Sequence, residues 1–124
     1  MTELLLDSVI LIDHFNGWAP ATRFLLDIDP RTSFVSVITT TEILVGFEVT
    51  AVDAPKSLLD QFSTLEITKK TADQAAVLRR EHGWKLPDAF QAALSLEHKL
   101  QFVTRNTKDF DPSRHPFVQI PYQI

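Results

Sequence analysis

The chain has 124 residues, enough for a buried core of its own, and we expect residues 1–124 to form a single domain. Its 16 acidic and 12 basic residues leave a formal charge of −4, which argues against binding nucleic acid through a basic surface alone. The chain has no cysteine and three scattered glycines, which excludes a disulfide framework, a P-loop and a GxGxxG loop and favours a reducing compartment, the cytoplasm.

The predicted elements begin with a short strand of buried leucines at residues 3–6, which ends at Asp7. A helix follows from Ser8, with Asp7 or Ser8 as its cap, and it ends at the stop signal of Asn16 and Gly17. The first half of the chain continues with a helix at 20–28, a β-branched strand at 33–38 and a helix at 39–49.

The second half of the chain shows the same alternation. The pattern predicts a helix at 55–65, a short strand at 65–68, and a helix in which Thr71 and Gln74 fit a capping box and Gly83 marks the end. The remaining elements are a helix at 86–98 and strands at 101–104 and 117–120. Strands that alternate with helices predict a three-layer α/β/α domain with a mainly parallel central sheet.

Acidic and amide side chains follow the ends of several predicted strands. Asp7 ends the first strand, Glu42 lies in the predicted first turn of the helix after the second, Asp88 starts a late helix, and Asn106 and Asp109 follow the strand at 101–104. Ligand sites of a parallel sheet form beyond the carboxyl ends of its strands, so we expect these residues to converge on one edge. Oxygen ligands without cysteine suit Mg²⁺ or Mn²⁺, which can activate water for attack on a phosphodiester.

Each of these acids also has a purely structural interpretation. Asp7 could cap the helix that follows it, and Glu42 could be the acidic half of a capping box that begins at Thr39. Asp88 could complement the helix dipole, and Asp109 lies in a segment with the composition of a turn. The pattern alone leaves the structural and the metal-binding interpretations open.

Three blocks of the sequence resemble a known family. The blocks are LLLDSVILIDHFNG, VSVITTTEILVGF and KLPDAFQAALSLEHKLQFVTRNTKDF, and the match runs from residue 3 to about residue 110. Together they resemble a PIN domain, specifically a VapC-type toxin of a toxin–antitoxin pair. The resemblance implies a metal-dependent endoribonuclease that uses Mg²⁺ or Mn²⁺, acts on RNA, forms a homodimer and is held inactive by a cognate antitoxin.

The resemblance also implies roles for individual residues. The three metal-binding acids of the family fall on Asp7, Glu42 and Asp88. The fourth acidic position of the family falls in the block TRNTKDF, where Asn106 and Asp109 are both candidates. Ser8 and Thr104 fall where the family has hydroxyl residues that orient carboxylates or a metal-bound water.

Other side chains near these blocks have less specific interpretations. Arg105 and Lys108 could hold flanking phosphates, although each is also an ordinary solvated loop charge. Asp13 matches the LID segment of the family, and the pattern does not say what it contacts. We assign Phe15 and Trp18 to the core, with an apolar patch for a partner as the alternative, and we assign no histidine to a metal.

Two other functions remain as alternatives at the level of sequence. Asn106 and the acidic net charge are compatible with a PIN-like domain that has lost catalysis and serves as a binding or scaffolding module. A phosphoacceptor receiver domain also keeps acids at strand ends, but it requires paired acids after its first strand, and here Asp7 is followed by Ser8. A membrane is not expected as a partner, because no apolar run approaches the roughly 20 residues that span a bilayer.

Overall fold

A computed structural model describes residues 2–123, so residues 1 and 124 of the predicted domain lie outside the described range. Within it, short strands alternate with helices along the chain. The strands are β1 (Leu4–Leu6), β2 (Ser33–Ser36), β3 (Ser63–Leu65), β4 (Gln101–Val103) and β5 (Val118–Gln119). The helices are α1 (Ser8–Phe15), α2 (Ala19–Asp27), α3 (Val37–Val45), α4 (Asp53–Leu59), α5 (Lys69–His82) and α6 (Leu86–His98).

The five strands form one sheet in the order β3-β2-β1-β4-β5, and every pairing is parallel. The first strand lies at the centre, where Leu5 pairs with Phe34 of β2 on one side and with Phe102 of β4 on the other. The predicted α/β class, with a parallel sheet between two helical layers, is confirmed. The carboxyl ends of β1, β2 and β4 therefore meet at one edge.

Alternate leucines of β1 contribute to two separate hydrophobic clusters. Leu5 is buried with Ala92 and Leu94 of α6, whereas Leu4 and Leu6 are buried with residues of α1 and α3 on the opposite side. Successive side chains of a strand point to opposite faces, so a run of apolar residues covers both faces of a buried sheet. Burial of each leucine contributes about 2 kcal/mol relative to leaving it exposed.

The second strand ends earlier, and α3 begins earlier, than the pattern predicts. The Ser36 hydroxyl accepts a hydrogen bond from the Thr39 N–H at 3.1 Å, so Ser36 is the N-cap and the helix starts at Val37. Glu42 consequently lies in the second turn rather than in the first. The structural interpretation of Glu42 as the acidic half of a capping box with Thr39 is wrong, because Thr39 lies inside the helix.

Boundaries between residues 53 and 71 also differ from the prediction. The helical spacing predicted a helix over 55–65, but α4 ends at Leu59 and Phe62 turns inward before β3. Hydrogen bonding of Ser63–Leu65 to the edge of β2 outweighs the helical spacing there. The predicted capping box of Thr71 and Gln74 is wrong: the box joins Thr68 and Thr71, so α5 begins at Lys69.

The assignment of Trp18 to the core is wrong. Trp18 is 38% exposed because it is the N-cap of α2, directly after a turn at Gly17 whose φ is 83°. Phe15 is half-buried and makes an edge-to-face contact with Phe47 at 5.1 Å between ring centroids. Over residues 2–123, none of the helices combines the length and the apolar character that a membrane crossing requires.

Candidate active site

Asp7 is held at the carboxyl end of the central strand. Its N–H donates to the Val103 carbonyl at 2.9 Å, and its side chain, in a residue only 8% exposed, accepts a hydrogen bond from the Thr104 hydroxyl at 2.7 Å. Asp7 is the N-cap residue of α1, as one interpretation of the sequence predicted, but its side chain makes no capping hydrogen bond to that helix. Burial raises the pKa of Asp7 from 3.8 to about 6 against the effect of Thr104, and the charges of Asp88 and Glu42 raise this pKa further.

Glu42 projects from α3 next to the first helix. The Ser8 hydroxyl donates to its Oε1 at 3.0 Å. Glu42 is exposed, and its charge acts on both Asp7 and Asp88. Ser8 therefore restricts the orientation of the most solvent-accessible of these three carboxylates.

Asp88 lies in the first turn of α6 and is half-buried. Burial raises its pKa, and the charges of Asp109 and Glu42 raise the pKa further against the opposing effect of Lys85. The pKa of Asp88 thus depends on the charges of a carboxylate on α3 and of one on the loop after β4. The position of Asp88 near the helix N-terminus is also favourable for a negative charge, so the structural interpretation of this residue holds beside the functional one.

The loop after β4 brings together the two candidates for the fourth position. The Asn106 side-chain amide donates to Asp109 Oδ2 at 3.0 Å, and the Asp109 N–H donates back to Asn106 Oδ1 at 3.3 Å. The Asn106 N–H in turn donates to the Thr104 hydroxyl at 3.1 Å, which ties this pair to the partner of Asp7. Of these two residues, Asp109 carries the negative charge that raises the pKa of Asp88. Asn106 orients the Asp109 carboxylate through its hydrogen bond.

These residues form a chain of interacting charges at one edge of the sheet. Asp7 is coupled to Asp88 and Glu42, and Asp88 is coupled to Asp109. In the part of the chain that the structure describes, no three acidic or histidine side chains lie close enough together to hold a metal ion as they are placed. The donor chemistry nevertheless fits Mg²⁺ or Mn²⁺, because the ligands are carboxylate oxygens whose repulsion and burial a divalent cation would offset.

A neighbouring ion pair had no signal in the sequence. Arg105 donates to both carboxylate oxygens of Asp13, at 2.6 and 3.0 Å, and the Tyr122 hydroxyl donates to the same carboxylate at 2.9 Å. Burial alone would raise the pKa of Asp13, but the hydrogen bonds from Arg105 and Tyr122 and the positive charge of Arg105 lower it overall. Asp13 and Arg105 are 92 positions apart, so no local pattern could have paired them.

This ion pair changes the interpretation of the basic residues near the acids. Arg105 is engaged by Asp13 rather than being an ordinary solvated loop charge, although its positive charge also reaches Asp7. Lys108 is exposed on the same loop. Asp13 of α1 thus joins the loop after β4, through Arg105, and the C-terminal segment, through Tyr122, beside the acidic edge.

Comparison with known proteins identifies the family. The PIN domain family model matches residues 4–112, and the chain belongs to the PIN domain family. Among solved structures, a toxin-antitoxin complex from Klebsiella pneumoniae is 36% identical with a TM-score of 0.87, covering 98% of this chain and 100% of that chain.

Two more distant structures share the fold. FitAcB from Neisseria gonorrhoeae is 20% identical with a TM-score of 0.79, over 95% of this chain and 97% of that chain. DNA-bound VapBC from Salmonella typhimurium is 19% identical with a TM-score of 0.75, over 99% of this chain and 98% of that chain. A comparison with curated proteins finds no match.

Proposed function

We propose that the protein is a Mg²⁺- or Mn²⁺-dependent endoribonuclease and the toxin of a toxin–antitoxin pair. The observation that carries the proposal is the electrostatic coupling of Asp7, Glu42, Asp88 and Asp109 at the carboxyl edge of the sheet. Acids with a raised pKa, as at Asp7 and Asp88, are typical of a catalytic site when they lie at the ligand-binding edge of an α/β fold. Membership of the PIN domain family supports the nuclease activity.

In this mechanism Asp7, Glu42, Asp88 and Asp109 would hold the cation, with no covalent enzyme intermediate. When bound, the divalent ion supplies a nucleophile at neutral pH and stabilises the charge of the phosphodiester under in-line attack. Hydrolysis then leaves a 5′-phosphate and a 3′-hydroxyl.

Neighbouring side chains keep these carboxylates oriented. Thr104 donates to Asp7 and Ser8 donates to Glu42, so each hydroxyl restricts the rotamer of its carboxylate. Asn106 does the same for Asp109 with its side-chain amide. The hydrogen bond from Thr104 lowers the pKa of Asp7 against the effect of burial and so favours its ionised form, which is the form that binds a metal ion.

We further propose an antitoxin as the protein partner and a homodimer as the assembled state. The Klebsiella pneumoniae structure at 36% identity is a toxin-antitoxin complex, and the present chain covers all of its matched chain. An apolar cavity of about 270 Å³ between α1 and α3 is lined by Ile12, Phe15, Ile43 and Phe47 and borders Glu42. An antitoxin segment bound there would reach the acidic edge.

The nuclease proposal is tested with purified protein and defined RNAs, with and without Mg²⁺, and with mapping of the product ends. Asp88→Asn should abolish cleavage and relieve growth arrest on expression while the fold is retained. Asp73→Asn, which changes an exposed acid of α5, is the matched control and should keep full activity. Full activity of Asp88→Asn, or cleavage in excess EDTA, refutes the proposal.

A catalytically idle PIN-like scaffold is the second candidate function. It is favoured by the separation of the acids, since no three of them converge on one point anywhere in residues 2–123. Calorimetric titration with Mn²⁺ separates the two functions: a nuclease binds the ion through its carboxylates, whereas a scaffold has no need of it. Binding that disappears in Asp88→Asn supports the nuclease.

A further inference from the structure

Gln91 is a polar residue buried in the middle of an apolar helix. It is 1% exposed, and its neighbours Ala89, Ala92 and Leu94 on α6 lie in the hydrophobic core. A primary amide is tolerated in such a place only when its donors and acceptors are hydrogen-bonded. In residues 2–123, every fully buried side-chain nitrogen and oxygen has a partner, so the amide of Gln91 is accommodated.

The partners of the Gln91 amide lie at the end of β2 and in the first turn of α3. The Ser36 hydroxyl donates to Oε1 at 2.6 Å, and Nε2 donates to the Thr39 hydroxyl at 2.8 Å. The Thr39 hydroxyl donates in turn to the Leu6 carbonyl at 3.5 Å, a longer contact. Ser36 also accepts from the Thr39 N–H, so its own proton is free for Gln91, and the direction of each hydrogen bond is determined.

Each end of this network lies close in sequence to a candidate metal ligand. Gln91 follows Asp88 by three residues on α6, and Thr39 precedes Glu42 by three residues on α3. Residues three apart on a helix share a face, so a shift of Gln91 or Thr39 carries the acid with it. Leu6, the last member of the network, directly precedes Asp7.

The acids themselves oppose this arrangement. Asp88 lies within the electrostatic influence of Glu42, so the two carboxylates repel each other between α6 and α3. Hydrophobic packing between the helices is non-directional and permits small sliding movements. Directional hydrogen bonds in a low-dielectric interior define one register, and a fully satisfied buried network is suited to hold it.

We propose that Gln91 is a positioning residue, which locks α6 to α3 and β1 and thereby sets the spacing of Asp7, Glu42 and Asp88. The inference rests on the proposed function, since spacing matters only if these acids share a cation. Gln91 itself does not touch substrate or metal in this proposal; it acts through the backbones of three elements.

The test compares Mn²⁺ affinity, measured by calorimetry, with thermal unfolding in EDTA. Thr39→Val removes one link with a side chain of the same shape and should weaken Mn²⁺ binding. The Thr39→Val/Gln91→Leu pair removes the amide as well and should weaken binding further, by about tenfold or more. Both substitutions are apolar and similar in shape, but the Ser36 hydroxyl loses its acceptor, so the unfolding temperature should fall while the protein stays folded.

Ser95→Ala is the matched control. Ser95 is also fully buried on α6, but its hydroxyl donates to the Gln91 main-chain carbonyl within the same helix at 3.0 Å and joins no other element. This variant should keep the Mn²⁺ affinity of the wild type even if its unfolding temperature falls.

The outcomes separate this inference from the function on which it rests. A wild-type protein that binds no Mn²⁺ overturns the proposed function. A wild type that binds Mn²⁺, together with a double variant of equal affinity, overturns the role of Gln91 alone. Unfolding of the double variant with unchanged affinity in Thr39→Val would also overturn it, because the network would then serve stability only.

Discussion

Asp7→Asn should stabilise the protein in the absence of divalent cations while destroying its metal affinity. Asp7 is 8% exposed, and burial together with nearby carboxylates raises its pKa from 3.8 to about 6. A pKa difference of that size corresponds to about 3 kcal/mol of free energy of unfolding, lost when the group is ionised. Asparagine has no charge to bury, and its Oδ1 can still accept the hydrogen bond from Thr104.

The sign of the pH dependence follows from the raised pKa. Below about pH 3 Asp7 is mostly protonated in both the folded and the unfolded chain, so ionisation of Asp7 costs the wild type almost nothing. As the pH rises towards about 6, the unfolded chain releases its proton first, and the wild type loses stability that Asp7→Asn keeps. The free energy of unfolding of Asp7→Asn minus that of wild type should therefore rise by about 3 kcal/mol between about pH 3 and about pH 8.

Urea denaturation in EDTA across this pH range measures the difference directly. Asp60→Asn, a change at an exposed acid after α4, should show no such rise. Added Mg²⁺ should stabilise the wild type and not Asp7→Asn, because a ligand stabilises only the state that binds it. A difference that stays flat with pH, or that falls as pH increases, would refute the reasoning.

Three further substitutions have expected effects on stability in urea denaturation. Asp13→Asn should cost about 1–2 kcal/mol at neutral pH, because Arg105 loses the charge of its acceptor at a site that solvent partly screens. Trp84→Phe keeps a buried ring but removes the indole N–H that donates to the Asp109 carbonyl at 3.1 Å, and should cost about 1 kcal/mol. Gly83→Ala should cost about 1 kcal/mol, because Gly83 has a φ of 72°.

Each of these three predictions has its own check. Asp111→Asn, at an exposed pair of hydrogen bonds with Ser113, should cost less than Asp13→Asn, and equal costs would count against a stabilising role of the part-buried Asp13–Arg105 ion pair. Trp84→Phe should leave the Mn²⁺ affinity closer to wild type than Asp7→Asn does. Gly46→Ala is the control for Gly83→Ala, since Gly46 has a φ of −81°, and an equal cost at both positions would contradict the conformational argument.

Much of the fold was readable from local patterns because the forces that form its elements are local. The apolar runs of β1, β2 and β4 are separated by helical periodicities, and that alternation alone predicted a parallel sheet between two helical layers. The stop at Asn16 and the left-handed Gly83 after α5 were predicted for the same reason, since a helix end depends on a few adjacent residues.

Element boundaries were less predictable where neighbouring interactions competed. The spacing of Leu58, Leu59 and Phe62 is helical, yet the chain turns at 60–62 so that Ser63–Leu65 can pair with β2. Ser36 ends β2 because its hydroxyl caps α3. The β-branched composition of residues 33–38 predicted a longer strand and did not reveal this cap. The pairing partner decides such cases, and a partner distant in sequence is not visible in a local window.

The candidate site likewise has features that the sequence predicted and features that only the structure reveals. The sequence by itself determined which acids follow strand ends, and the order of the strands then placed Asp7, Glu42 and Asp88 at a common edge; their role as metal ligands stays a prediction. Only the tertiary structure decided the contacts that support them. Thr104 is hydrogen-bonded to Asp7, which lies 97 positions away in the sequence, and Gln91 is hydrogen-bonded to Ser36, which lies 55 positions away.

The physical reason lies in the range of each interaction. A strand, a cap or a helix stop is selected by neighbours within a few residues, so composition and spacing record it. A buried hydrogen bond between distant segments depends on the complete packing of the sheet and helices. In the sequence alone, the donor and the acceptor of such a bond look like any other threonine, serine or glutamine. The sequence therefore determined the positions of the acids and the order of the strands and helices. The packing of these elements decided which side chains hold each acid in place.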